Sequence, residues 1–416
     1  MTDCNPRIKK ISAEAITPLA PLPEPVGTPS VHLDALRGLA AFSVMISHWR
    51  DLFFVDYPDF YSHNLFVKAG FLITGLGHQW VIVFFVLSGY LVGGSVIRAV
   101  RDDRWSWNGY LLIRFTRLYV VLLPALLLGG TADWIGTHLP GTDAIYSGHA
   151  GLHEFSSDVR PAMTLPTMAA NALFLQTISL PGMHGKAIPT FGSNGPLWSL
   201  ANEFWYYIAF PLIVLALTRR RRAAGSWSVH CLYAGALIAW GFFVGLPILL
   251  MGITWLIGVL IVFFPLVPMR SPTAQSLALG VTLLVFAGAL FLHKARPTLP
   301  VAIVLALCVA LVIWMTLDLA HGPLPRLYVR LARWTSQSSY TLYLVHLPLL
   351  VLLKAALHLP RATDFSASLW LQAGAVLIAT LAYSTLVYFA FERNTVRVRR
   401  WIQARLNGRS QGAAAV

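Results

Sequence analysis

From Leu33 onward the chain alternates between long apolar runs and shorter polar segments. The runs fall at roughly 33–52, 79–98, 110–130, 195–217, 229–245, 248–266, 275–292, 299–318, 338–357 and 367–391. About 20 apolar residues are needed to cross the ~30 Å of bilayer hydrocarbon as helix, and a helix satisfies its own backbone hydrogen bonds there. The pattern therefore predicts an all-α, polytopic membrane protein of about ten transmembrane helices. A hydrophobic content of 56% against 12% charged residues agrees and excludes an ordinary soluble domain.

Three segments break the alternation. Residues 1–32 have no central apolar run and are rich in proline, which fits a flexible tail and not a signal peptide. Residues 131–194 form the longest non-spanning stretch and contain one helix-like run, MTLPTMAANALFLQTISL. An eleventh crossing there would reverse every later loop, so this run is expected to be an interfacial or re-entrant helix within a long outer loop. Residues 394–416 form a basic tail.

The net charge of +14 invites a nucleic-acid reading until the 31 lysines and arginines are placed. With a cytoplasmic N-terminus, Arg98, Arg101 and Arg104, the RRRR run Arg219 to Arg222, Arg326, Arg330 and Arg333, and the arginines from Arg393 to Arg409 all fall inside. This bias puts both termini in the cytoplasm, beside anionic lipid, and accounts for the charge with no nucleic acid. The three cysteines, Cys4, Cys231 and Cys308, are not spaced as ligands, so neither a disulfide framework nor a metal site is expected.

The first span carries the candidate chemistry. A charged side chain in hydrocarbon costs at least about 2.5 kcal/mol, so Arg37 must be partnered or line a wet cavity. Arg37 and His48 are eleven residues apart in LDALRGLAAFSVMISHW, which returns them to within roughly 20° of one helical face. They then sit about 16 Å apart along the axis. Arg114 and Arg117, at i and i+3, lie near the inner surface. Glu203 falls some turns in from the outer end of its span, and His346 near mid-depth. Structural readings stand beside these: Asp34 pairing with Arg37, snorkelling of Arg114 and Arg117, hydrogen-bonded roles for His48 and His346, and packing for Ser88 in FFVLSGYL, which lacks the strand-turn-helix context of a nucleophile elbow.

The R-x10-H pattern, with VFFVLSGYL, RFTRLYV, GPLWSLANEFWYY and SSYTLYLVHLPL following in order, resembles the acyltransferase 3 family of membrane acyltransferases. The resemblance runs from Leu33 to about Arg393 and corresponds to the stand-alone form, without an SGNH esterase-like domain. FERN near the end departs from the FEKP of many relatives, which leaves Glu392 unassigned. The resemblance implies an enzyme that moves an acyl group, usually acetyl, from acyl-CoA to a hydroxyl of a carbohydrate, often a bacterial surface polysaccharide or a lipid-linked glycan, at the bacterial inner membrane.

On that reading Arg37, Arg114 and Arg117 suit the phosphates of acyl-CoA. His48 serves as general base on the acceptor hydroxyl. Glu203 orients His48 or binds acceptor, and Trp198 or Tyr206 donates to the oxyanion. Asp34, Ser88 and His346 are supporting positions. Acyl-CoA is a cosubstrate and no metal is required. Two other classes fit the same residues: a proton-coupled exporter or lipid-linked sugar flippase, and a non-catalytic scaffold of polysaccharide assembly.

Overall fold

A computed structural model describes residues 28–413, apart from 62–63, 153–156, 180–184, 219–226, 265–270, 318, 320–323 and 365, with side chains from 30 to 406. Most of the N-terminal tail and the RRRR run lie outside the described residues. Nine helices among the described residues are long and apolar enough to cross a membrane. A tenth, α1 (Thr28–Phe53), matches them in length at 26 residues but carries Asp34, Arg37, Arg50 and Asp51. Each of the ten expected spans thus has a helix. The first begins five residues before the boundary expected at Leu33.

The others are α3 (Gly77–Arg101), α4 (Trp107–His138), α6 (Leu197–Leu217), α7 (Trp227–Val244), α8 (Leu246–Phe263), α9 (Pro272–Ala295), α10 (Leu299–Leu317), α11 (Arg326–Ala356) and α12 (Ala367–Ala390). Two shorter helices, α2 (Leu65–Thr74) and α5 (Leu165–Ala172), lie in the loops after α1 and α4. The expected basic tail is itself helical, α13 (Thr395–Ala413). No β-strand occurs among the described residues, only an isolated bridge between Phe54 and Ala362.

Apolar content decides which sequences are spans, and small and polar residues decide their order from centre to rim. In α3, 78% of the span is buried inside the protein, against 6% in α7, so α3 is central and α7 sits at the rim, packed on α6 and α8. α3 reaches the centre because glycines let it touch α8. A Cβ on Gly89 would collide with the carbonyl of Trp255, and one on Gly258 with the carbonyl of Val86. Close backbone approach of this kind is how membrane helices associate where no hydrophobic drive exists between them. Gly258→Ala is expected to cost about 1–3 kcal/mol by overpacking. Thermal unfolding in detergent should show the loss, while Gly280→Ala, whose Cβ would meet nothing within 4 Å, holds or slightly raises the midpoint.

Three prolines lie inside the spans, Pro124 in α4, Pro211 in α6 and Pro348 in α11, and the last two tie their helices to distant segments. Pro348 in α11 and Pro211 in α6 each lack the N–H that would bond the carbonyl four residues earlier. Those carbonyls, Leu344 and Tyr207, accept instead from Asn194 Nδ2 at 2.8 Å and from Tyr110 Oη at 3.0 Å. In hydrocarbon a freed carbonyl must find such a partner. Each proline thereby tethers its helix to a second segment.

The expected interfacial helix is present but short. Only the eight residues of α5 are helical, about 12 Å at 1.5 Å per residue, too little to cross. The chain leaves it through Phe174, whose φ of 58° is left-handed and whose ring stacks on Phe204 at 4.1 Å. Other described residues of this long segment are folded into the bundle. Ser193 donates its N–H and hydroxyl to buried Asp133 at 2.7 and 2.6 Å, Gln176 donates to Leu197 O, and Asn171 donates to Pro189 O. At its exposed edge Arg160 bonds Asp158 and Asp143, and holds the Asp158 carboxyl below the usual carboxylate range.

Candidate active site

A cavity of about 200 Å³ lies between α1, α3, α4, α6 and α11. Arg37, Arg114, Arg117 and Glu203 all line it, with hydroxyls from Ser88, Ser199, Tyr207, Tyr340 and Tyr343. Three guanidiniums against one carboxylate make it a cationic chamber inside an apolar bundle, a combination that selects for an anionic guest.

Each cation is held differently. Arg37 donates to Ser336 Oγ at 3.3 Å, and Ser336 donates onward to Asp34 at 2.7 Å. Asp34 and Arg37 therefore share a serine and do not pair directly. Arg114 donates to Ser95 Oγ at 3.1 Å and lies over the rings of Tyr110 and Tyr207, at 5.4 and 5.6 Å. Aromatic faces hold a cation in place without neutralising it. Arg117 lies 5.4 Å from the Tyr340 ring and pairs with Glu392 at 2.6 Å. Glu392 is buried just past α12, and its other oxygen accepts from the N–H of Thr341 at 3.0 Å and from the Thr341 hydroxyl. None of the three is merely snorkelling.

Ser88 is a hydrogen-bond hub and not only a packing residue. Trp255 Nε1 donates to it at 3.1 Å. Tyr207 spends its own proton on Glu203, so Ser88 donates to Tyr207 across 3.2 Å. The chain Trp255, Ser88, Tyr207, Glu203 ends on the carboxylate and fixes it at the cavity wall. The five residues of α3 that follow Ser88, Gly89–Gly93, form a π-helical turn, an irregularity common at functional sites.

His48 is not part of this chamber. It faces His346 of α11, with ring centroids 5.2 Å apart. His346 Nδ1 donates to the carbonyl of Leu342 at 2.9 Å, which fixes the tautomer and leaves Nε2 as the basic nitrogen. Tyr343 connects the two centres: it lines the chamber, lies 6.1 Å from the His346 ring, and bonds Ser199 at 2.6 Å.

Glu203 sits deeper than its distance from the end of the apolar run implies. Residues 193–194 before α6 are themselves buried, so α6 starts inside the bundle and delivers Glu203 to the arginines. Tyr206 is turned away from the chamber and spends its hydroxyl on Ile248 O at 2.9 Å, which corrects the expectation of an oxyanion donor there. Trp198 stacks on His78 at 5.5 Å, and His78 lies parallel to His293 at 6.1 Å. Among the described residues no cluster of three or more His, Cys, Asp or Glu has the arrangement of a metal site.

Sequence reasoning missed Tyr207, Tyr340, Tyr343, Asn194, Ser336 and the partnership of Glu392 with Arg117. The spacing of Tyr207 from Glu203, i and i+4, was the readable signal for one of them.

A polytopic helical bundle with a buried cationic chamber and a histidine pair three helical turns away is the frame of a membrane-embedded enzyme. The family of the acyltransferase domain, acyltransferase 3, matches residues 31–389, and the chain belongs to that family. It is a multi-pass membrane acyltransferase. Neither the curated proteins nor the solved structures contain a match.

Proposed function

We propose that this acyltransferase takes its acyl group, acetyl by default, from cytosolic acyl-CoA and delivers it to a hydroxyl of a carbohydrate acceptor on the other side of a bacterial inner membrane. The observation that carries the reading is the convergence of Arg37, Arg114 and Arg117 on one cavity, on the side of the bundle that the basic loops assign to the cytoplasm. Guanidiniums bind phosphates in bidentate fashion, and the nucleotide end of acyl-CoA carries several phosphates. Its pantetheine arm then runs past Tyr343 toward the histidine pair, about 16 Å further along α1.

There His48 takes the proton of the acceptor hydroxyl, and the oxygen attacks the thioester carbonyl carbon. The carbon–sulfur bond breaks, CoA leaves as thiolate, and the proton returns from the imidazolium to the sulfur. The oxyanion that forms on the way draws on Trp198 or a backbone N–H. Glu203, fixed by Tyr207, gives the donor chamber its one carboxylate.

The test is CoA release by purified protein in nanodiscs with acetyl-CoA and a panel of surface-glycan acceptors. Release that requires both substrates supports the reading; intact protein that releases no CoA with any donor and acceptor overturns it. Arg114→Ala and Arg117→Ala are each expected to raise KM for acyl-CoA about 10-fold or more, the value of one charge-assisted hydrogen bond, with KM for acceptor unchanged.

A further inference from the structure

The arginine chamber and the histidine pair are separate centres, and the acyl end of the donor has to pass from one to the other. Two rings stand between them. Phe84 of α3 and Tyr343 of α11 both line the chamber, and they meet edge to face with centroids 5.7 Å apart. Tyr343 in turn lies 6.1 Å from the His346 ring. Phe84 packs on both apolar clusters of the bundle, the central one around α3 and the one that holds Met45, Trp49 and Leu347, neighbours of His48 and His346 on their helices. The direct way from the chamber to the histidines therefore runs between these rings.

The two rings are held differently. The Tyr343 hydroxyl bonds Ser199 Oγ at 2.6 Å and donates to Pro196 O at 3.3 Å, which anchors its far end. Phe84 has no polar anchor, and from Gln79 to Tyr90 it is the one residue that is not buried. Since the helix around it is enclosed by protein, its open surface is the one it shows to the chamber. Val81, one turn earlier, and Phe85 beside it line the same end. The chamber thus changes from guanidiniums to apolar side chains as it nears the histidines, which suits a guest charged at one end and hydrocarbon at the other. Room beyond the rings is scarce: Met45, Leu347 and Leu350, which flank the two histidines along α1 and α11, are each no more than 1% exposed. Packing of this kind takes up added methylenes only with strain.

We infer that Phe84 sets the length of the acyl group that the enzyme accepts. With the thioester at the histidines, its ring fills the space that the methylenes of a longer chain need, and the donor is held to short acyl groups. The inference rests on the acyltransfer reading above and adds to it the residue that selects the donor. The role falls to Phe84 and not to Tyr343, whose hydroxyl bonds make it part of the frame.

The experiment measures CoA release in nanodiscs with the surface-glycan panel and acetyl-, butyryl- or hexanoyl-CoA, for wild type, Phe84→Leu and Phe84→Ala. One methylene in an apolar pocket changes discrimination by about 10- to 200-fold. Expected are a preference for acetyl-CoA in wild type and, in F84A, a rise of at least about 10-fold in the ratio of kcat/KM for hexanoyl-CoA to that for acetyl-CoA, with F84L between. Both values come from one protein sample, so a variant that folds less well lowers them together and leaves the ratio where it was. F84L is the milder cut and carries the test if the cavity left by alanine unfolds the protein. A ratio unmoved in the folded variants overturns the inference, as does a wild type that uses hexanoyl-CoA as readily as acetyl-CoA; in both cases acyltransfer itself stands. No CoA release from intact wild type with any donor and acceptor overturns the acyltransfer reading, and the inference falls with it.

Discussion

His48→Ala is expected to reduce acceptor-dependent CoA release by about 10²- to 10⁴-fold, the range that a positioned general base contributes. Arg37, at the arginine end of the chamber, lies about 16 Å away along α1, so KM for acyl-CoA is expected to hold, and the loss appears in kcat. His346 packs against His48 with its tautomer already set by Leu342 O, so on the proposed mechanism the two imidazoles are expected to act as a unit. Residues that act as a unit are not additive: the double variant His48→Ala, His346→Ala is expected to be no slower than His48→Ala alone. A double variant that multiplies the two single losses would separate their roles. An unchanged rate in folded His48→Ala would remove the histidine from the reaction and leave the arginine chamber without a partner.

The fold was legible because membrane solvent makes its demands in sequence. A 20-residue apolar run has few meanings, and each of the ten has its helix. Polar residues in those runs were legible for the same reason: Arg37, Arg114, Arg117 and Glu203 stand out as costly, and the structure gathers all four around one cavity. Depth was less legible. Counting residues from the end of an apolar run assumes that the run ends at the membrane surface. At α6 it does not, because Ser193 and Asn194 are drawn inside by Asp133 and by the carbonyl that Pro348 frees.

Proline partners were also beyond reach. Pro211 and Pro348 announce that a carbonyl needs a donor, but Tyr110 and Asn194 come from distant segments, and nothing local to the prolines names them. Roles that depend on a turn were hidden in the same way. Glu392 follows the last apolar run, where a carboxylate reads as surface. The backbone turn after α12 carries it inward to Thr341 and Arg117.

Glu392→Ala is the second large effect expected, and it should appear first in stability. The carboxylate is buried, and three groups rely on it: the Arg117 guanidinium, the Thr341 N–H and the Thr341 hydroxyl. Removing one partner of a buried ion pair costs about 3–5 kcal/mol, and an unsatisfied buried N–H about 1–3. Arg117 is 39% exposed and recovers part of its loss from water, so about 2–4 kcal/mol in total is the expected destabilisation. Glu392→Gln separates the charge from the hydrogen bonds, since its amide oxygen still accepts from Thr341. That variant should keep most of the thermal midpoint but let Arg117 swing from the chamber, raising KM for acyl-CoA about 10-fold at nearly constant kcat. A fall in kcat with KM unchanged would instead assign Glu392 to the chemistry at the far end of the arm. Because α13 starts at Thr395, whose hydroxyl bonds the Glu392 carbonyl at 2.6 Å, the same turn joins the basic C-terminal helix to Arg117 of the chamber.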